Sequence, residues 1–301
     1  MMSDSPPHND WEEIPPVTTP PPTRGILPWD GGKAILFFIF SGLLSLLTGI
    51  ILQEAVGFYL SVLAAELIAF LLLPYVLSFL FNTEWTRWIS QPDIPLSFWL
   101  WSTLAVIAFA IAQSNLPVLF DRIHPIQEEH LQMFQDYLTA ESYWEWLIMF
   151  SVAALIPAIC EEITFRGVIQ TGLRNSFGSR HAVIWGGLLF ALLHLNPWSF
   201  VGLWCFGCLL GYLTEKTQSV RPAILMHMLN NALALAVIAL QGKDQWEKRP
   251  EFIPWYYTVI AVVALIYALL RLHRIHRPSE SPETVPDNLP TPHSEPPQSA
   301  V

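Results

Sequence analysis

About eight apolar stretches divide this chain, most of them near the roughly twenty residues that a helix needs to cross a bilayer. They fall at 34–52, 58–81, 96–112, 146–173, 182–195, 200–213, 223–240 and 255–272. Inside a bilayer no water is available to bond free backbone groups, so stretches of this kind fold as helices. The expectation is therefore an all-α, polytopic membrane helix bundle of about eight transmembrane helices over residues 33–277. Composition agrees, with 52% hydrophobic and 13% charged residues and a mean hydropathy of +0.40. The fifth and sixth stretches are short and joined only by Asn196-Pro197-Trp198-Ser199, which predicts a tight helical hairpin with one end recessed in the membrane.

Residues 1–32 and 278–301 are polar and proline-rich, too poor in apolar surface to order themselves, and both tails are expected to be disordered. No cationic segment precedes the first apolar stretch, so no secretory signal is expected. The chain ends Gln298-Ser299-Ala300-Val301, which is not a prenylation substrate. With the amino terminus inside, the inside segments hold Arg24, Lys33, Arg87, Arg174, Arg180, Lys216, Arg221, Arg271, Arg274 and Arg277. The outside segments hold Arg122, Lys243, Lys248 and Arg249. That asymmetry places both termini in the cytoplasm. The compact size and the lack of eukaryotic targeting signals point to a bacterial plasma membrane. Trp85, Trp88, Tyr143, Trp144, Trp255, Tyr256 and Tyr257 read as interfacial anchors. The longest connection, 114–143, contains an apolar pattern at helical spacing over 130–138, which predicts a short amphipathic helix on the outer surface. A net charge of -10 leaves no basic face for nucleic acid. Cys160, Cys205 and Cys208 all lie in apolar stretches and read as small packing residues.

Against this background one segment stands out: Cys160-Glu161-Glu162-Ile163-Thr164-Phe165-Arg166 sets three charges in the fourth stretch. Each costs about 2.5–3.5 kcal/mol on insertion scales, so an intramembrane carboxylate pair is a functional-site hypothesis from the start. Glu162 and Arg166 are spaced i,i+4 and suit a structural ion pair. Glu161, about 100° around the helix, is left for chemistry. At about 1.5 Å per residue, Glu161 lies about 20 Å below Arg174 and His194 about 21 Å below Arg180. His227 and Asn231 lie about 9 and about 15 Å below Arg221, and their i,i+4 spacing puts them on one helix face. Acid, imidazole and amide thus arrive at overlapping depths from three helices. Glu161 with His194 would bind and deprotonate a water, and His227 with Asn231 would stabilise the oxyanion formed when it attacks an amide carbonyl. Glu66, alone in the second stretch, reads as a structural hydrogen-bonding residue, and Asn230 as a packing residue.

Glu161-Glu162-x-x-x-Arg166, Phe190-x-x-x-His194 and His227-x-x-x-Asn231, in this order and each on its own membrane helix, resemble the CPBP family. This is the CAAX prenyl protease and bacteriocin-processing family of intramembrane endopeptidases, also called the Abi family. The resemblance covers residues 146–240. It implies an endopeptidase that hydrolyses a peptide bond of a membrane-anchored or lipid-associated protein or peptide. Glu161 is then the water-activating residue, His194 its partner, His227 and Asn231 the oxyanion groups, and Glu162 and Arg166 the structural pair. Family members are often labelled metalloproteases, and a zinc-dependent version would use Glu161, His194 and His227 as ligands. No His-Glu-x-x-His occurs, and asparagine suits an oxyanion better than zinc, so the metal-free reading is preferred. An aspartyl dyad is excluded by the absence of aspartate from the stretches, and a rhomboid-type serine protease lacks its motif. The non-enzymatic rival, a transporter or an immunity scaffold, has no internal repeat to support it.

Overall fold

The computed structural model describes residues 29–81, 93–241 and 251–275. The remainder, including most of both tails and Arg24, Trp85, Arg87, Trp88, Lys243, Lys248, Arg249 and Arg277, lies outside the described residues. Among the described residues there is no strand, and the chain is an all-α bundle. Its helices are α1 (Gly31–Val56), α2 (Phe58–Leu80), α3 (Leu96–Gln113), α4 (Asn115–Ile123), α5 (Glu128–Leu138), α6 (Tyr143–Leu193), α7 (Phe200–Thr217), α8 (Arg221–Gln241) and α9 (Trp255–Arg274). Among the described residues six helical runs are long and apolar enough to cross a membrane: α1, α2, α3 continued by α4, α6, α8 and α9.

The difference from about eight arises at two places. The fourth and fifth apolar stretches adjoin in a run of 51 residues, α6, that counts once although non-helical Gly178 (φ 78°, ψ 164°) divides it into the two helices expected. The sixth, α7, ends in Thr214, Glu215, Lys216 and Thr217. Of these Thr214, Glu215 and Thr217 are buried within the protein. The positive φ of Gly178 and of Gly57 (φ 81°, between α1 and α2) is readily reached only without a Cβ, so glycine turns the chain at both points. The expected helix over 130–138 is α5, but the preceding connection is shorter than expected because α4 prolongs α3 beyond a turn at Ser114. The helical part of the chain also starts two residues before the expected boundary, at Gly31, capped by the Asp30 carboxylate accepting from the Lys33 amide at 2.9 Å. That bond holds the Asp30 carboxyl below the usual carboxylate range. Its contribution is therefore present above the unfolded-state pKa and is lost as pH falls through the lowered folded value.

The distribution of side chains is that of a protein in lipid. Leu36, Ile51, Phe79, Ile260 and Leu270 are exposed, whereas Glu162 and Arg166 are fully buried. One core runs through Phe165, Ile169, Phe190, Phe206, Leu210 and Leu213. At one end of the bundle the Gly31 amide donates to Ser176 Oγ (2.7 Å) and Lys216 Nζ to the carbonyls of His273 and Ile275 (3.0 Å each). At the other, Trp198 Nε1 donates to the His124 carbonyl (2.7 Å) and Asn115 Nδ2 to that of Ile253 (3.2 Å).

The second leg of α6 and α7 form the expected hairpin, turned through Leu195 (φ 48°) with Asn196 Oδ1 accepting from the Ser199 amide at 3.1 Å. Gly187 and Gly207 bring the two backbones together. A Cβ on Gly187 would lie 2.8 Å from the Cys208 nitrogen and 2.9 Å from the Trp204 oxygen, and one on Gly207 would lie 2.8 Å from the Gly187 Cα. These neighbours are backbone and cannot rotate away, so small residues set the approach. Gly187→Ala is expected to cost about 1–3 kcal/mol through overpacking. A correspondingly lower unfolding midpoint of the detergent-solubilised protein checks it.

Among the described residues three stretches have π-helical geometry: Leu67–Leu72 in α2, and Ser151–Leu155 and Ile163–Gln170 in α6. A π turn leaves a carbonyl out of the ordinary ladder, and in each stretch a side chain takes up a carbonyl. The Thr164 hydroxyl donates to Phe70 (2.8 Å), Asn231 Nδ2 to Ala153 (3.2 Å), and the Thr171 hydroxyl to Arg166 (3.1 Å). Two of the three bonds join separate helices, and all three surround the charged segment.

Candidate active site

Glu162 and Arg166 form the ion pair their spacing predicts, Nε to Oε2 at 2.8 Å with both side chains fully buried. The pair is the head of a ladder at i,i+4 steps. Arg166 Nη1 donates to Gln170 Oε1 (3.4 Å), and Gln170 Nε2 donates to the Gly211 carbonyl (3.1 Å) and to Glu215 Oε1 (3.0 Å). Arg174 Nη1 lies 3.7 Å from Glu215 Oε1 and donates to Gln218 Oε1 at 3.1 Å. Gly211 makes room for it: a Cβ there would lie 2.7 Å from Gln170 Oε1. Gln170, Arg174 and Glu215 have no place in the sequence-derived site, although the spacing 162, 166, 170, 174 continues the motif along one helix face.

His227 is buried, and its Nδ1 lies 3.0 Å from the second oxygen of Glu162. The Glu162 carboxylate, already paired with Arg166, accepts there, so Nδ1 carries the proton and Nε2 is left for other work. The Phe190 and Phe206 rings stand edge-on to His227 at 5.5 and 5.7 Å. Phe190 also lies 4.6 Å from the His194 ring and beneath the Arg166 guanidinium at 5.6 Å. The phenylalanine of Phe190-x-x-x-His194 is thus the wall between the histidines and the buried cation. His194 itself is exposed at the end of α6, and its Nδ1 is 2.8 Å from the Phe190 carbonyl. A carbonyl only accepts, so in the neutral ring Nε2 is the bare, basic nitrogen.

The groups singled out from sequence have the following partners in the structure. His227 and Asn231 share a helix face but have different partners, Glu162 for the first and the Ala153 carbonyl for the second. Glu161 is buried with Oε2 unpartnered, and among the described residues no hydrogen bond or ion pair joins it to His194, His227 or Asn231. Asn230, expected to be a packing residue, donates to Asn231 Oδ1 (3.3 Å) and lines a cavity of about 130 Å³ with Gln113, Ser199 and Phe206. Glu66 lacks the hydrogen bond expected of it at Oε2, which is buried and unpartnered, and its carboxyl interacts electrostatically with Glu161.

Among the described residues no three His, Cys, Asp or Glu side chains are gathered to hold a metal ion. Cys160, Cys205 and Cys208 are all free, and Cys208 packs against Gly187.

Residues 143–233 match the family of type II CAAX prenyl endopeptidase Rce1-like proteins. The matched span holds Glu161, Glu162, Arg166, His194, His227 and Asn231. No curated protein and no solved structure matches the chain. The family matched is a peptidase family, and the matched span lies within an integral, multi-helix membrane fold.

Proposed function

We propose that the chain is an intramembrane endopeptidase that cleaves a membrane-anchored or lipid-associated peptide or protein with water activated by Glu161. The observation that carries this reading is the coincidence of the peptidase domain with a buried charged set in which Glu162 pairs with Arg166 and Glu161 Oε2 has no partner. An ionised carboxylate with a spare oxygen accepts a proton from water, and the bare Nε2 of His194 accepts a second bond from the same water and orients it. The hydroxide attacks the scissile carbonyl. The oxyanion takes hydrogen bonds from the second N–H of the Asn231 amide and from His227, which donates through Nε2 when a proton there joins the one that Nδ1 gives to Glu162. Glu161 then returns its proton to the departing amine, and the site is regenerated. Both termini face the cytoplasm in this reading, and the membrane is a bacterial plasma membrane.

The test uses the full chain in phosphatidylcholine vesicles with an internally quenched peptide ending in a farnesylated Cys-aliphatic-aliphatic-X sequence. In parallel, membrane peptides are compared by mass spectrometry between cells with the parent chain and cells with Glu161→Gln. Cleavage products that depend on Glu161 are expected. Identical products from both cells, or transport of peptide without cleavage, sinks the protease reading. Chelator-washed protein is expected to stay active, and stoichiometric zinc that tracks activity would overturn the metal-free step.

A further inference from the structure

The register between α2 and α6 brings a second carboxyl to Glu161. The two helices run in parallel: Phe58–Glu66 lies against Ser151–Leu155 and Ile156–Glu162, and Leu67–Leu72 lies against Ile156–Glu162 and Ile163–Gln170. The bond from the Thr164 hydroxyl to the Phe70 carbonyl at 2.8 Å pins them. One turn earlier on α2 stands Glu66, and one turn earlier on α6 stand Cys160 and Glu161, so the pin sets the two carboxyls at one level. Cys160 packs in one apolar cluster with Ala69 and Phe70, which closes the contact from the other side.

Both Glu66 Oε2 and Glu161 Oε2 are buried without a hydrogen-bond partner, and the two carboxyls interact electrostatically. The titratable groups facing Glu66 are Cys160 and Glu161. The α1 helix, packed on α2, carries only Lys33 and Glu54, near its two ends, and Ser151–Leu155 carries no charge. Arg166 pairs with Glu162 through Nε, and its Nη2 bonds to neither Glu66 nor Glu161. With no cation to neutralise two like charges in apolar surroundings, the two carboxyls cannot both ionise cheaply, and one proton between them is the low-energy state.

We propose that Glu66 is a positioning residue of the catalytic centre, its carboxyl neutral and donating a hydrogen bond to the ionised Glu161. Glu161 then keeps its charge and is held in one orientation toward the water it activates. The inference rests on the reading of Glu161 as the water-activating residue, but its first test does not need cleavage.

Infrared spectra of the full chain in phosphatidylcholine nanodiscs at neutral pH are compared for the parent, Glu66→Gln and Glu161→Gln. The parent is expected to show the carbonyl stretch of a protonated carboxyl, absent from Glu66→Gln and moved in Glu161→Gln, where a charged acceptor is replaced by an amide. No such band in the parent, or a band unmoved by Glu161→Gln, overturns the proposal. If Glu66→Gln does not fold, the parent and Glu161→Gln spectra decide alone. On the farnesylated peptide, Glu66→Leu is expected to lower kcat about 10- to 100-fold with KM unchanged, the effect of losing one hydrogen bond to a charged group. Glu66→Gln, whose amide still donates, keeps most of the rate. A folded Glu66→Leu protein with parental kcat also overturns the proposal. An inactive parent that still shows the coupled band would sink the protease reading and leave the pair standing, so the two failures are distinguishable.

Discussion

Arg166→Leu is expected to destabilise the protein by about 3–5 kcal/mol, because it leaves a buried carboxylate without its cation. Arg166 and Glu162 are both fully buried, and the guanidinium is bonded to Glu162 and Gln170 and lies over Phe190. After the substitution only His227 remains against Glu162. The double substitution Glu162→Leu with Arg166→Leu removes both charges together and is expected to cost less than Arg166→Leu alone. Unfolding in detergent, followed by circular dichroism against denaturant, measures both. Equal losses in the single and double variants would show that Arg166 acts by packing rather than by charge.

The neighbouring carboxylate is expected to behave in the opposite way. Glu161→Gln should reduce peptide cleavage by about 10²- to 10⁴-fold, the range for removing a general base, with little change in stability. A glutamine oxygen at this position still accepts the bond proposed from Glu66, and an amide of the same shape is easier to bury than a carboxylate. Glu162→Gln, one residue on, disturbs the bonds to Arg166 and His227 and should lose stability first, with activity falling as a consequence. Two adjacent glutamates thus separate by assay: rate without stability for Glu161, stability before rate for Glu162. A Glu161→Gln protein as unstable as Glu162→Gln would mean that Glu161 is part of the scaffold.

Most of what depends on one helix at a time was legible in the sequence. Apolar length marks the helices, and i,i+4 spacing marks the Glu162–Arg166 pair, as it would have marked Gln170 and Arg174 had the count been carried further. Relations between helices were less accessible. That His227 meets Glu162 while Asn231 meets Ala153 depends on how α8 crosses α6, and no spacing within α8 encodes that. The level of Glu66 against Glu161 is likewise set by a hydroxyl on one helix and a carbonyl on another. Hydropathy separated the two legs of α6 where Arg174, Asn175, Ser176 and Arg180 interrupt the apolar run, and the backbone leaves helical geometry within that interval, at Gly178. The π turns are invisible to a 3.6-residue count, which they put out of phase.

Those turns decide where α2 and α6 tolerate a change of length. Each π turn takes up one residue more than an α turn while the helix on either side stays in phase, so a single-residue deletion within it returns the backbone to α geometry and leaves the charged residues before it, Glu66 on α2 or Glu161 and Glu162 on α6, on the same face. A single-residue deletion in a flanking α segment meets no spare residue and swings the part on one side by about 100° relative to the part on the other. Chains that differ here by one residue within a π turn therefore keep the phase of the carboxylates, whereas a gap of one outside it marks a different arrangement.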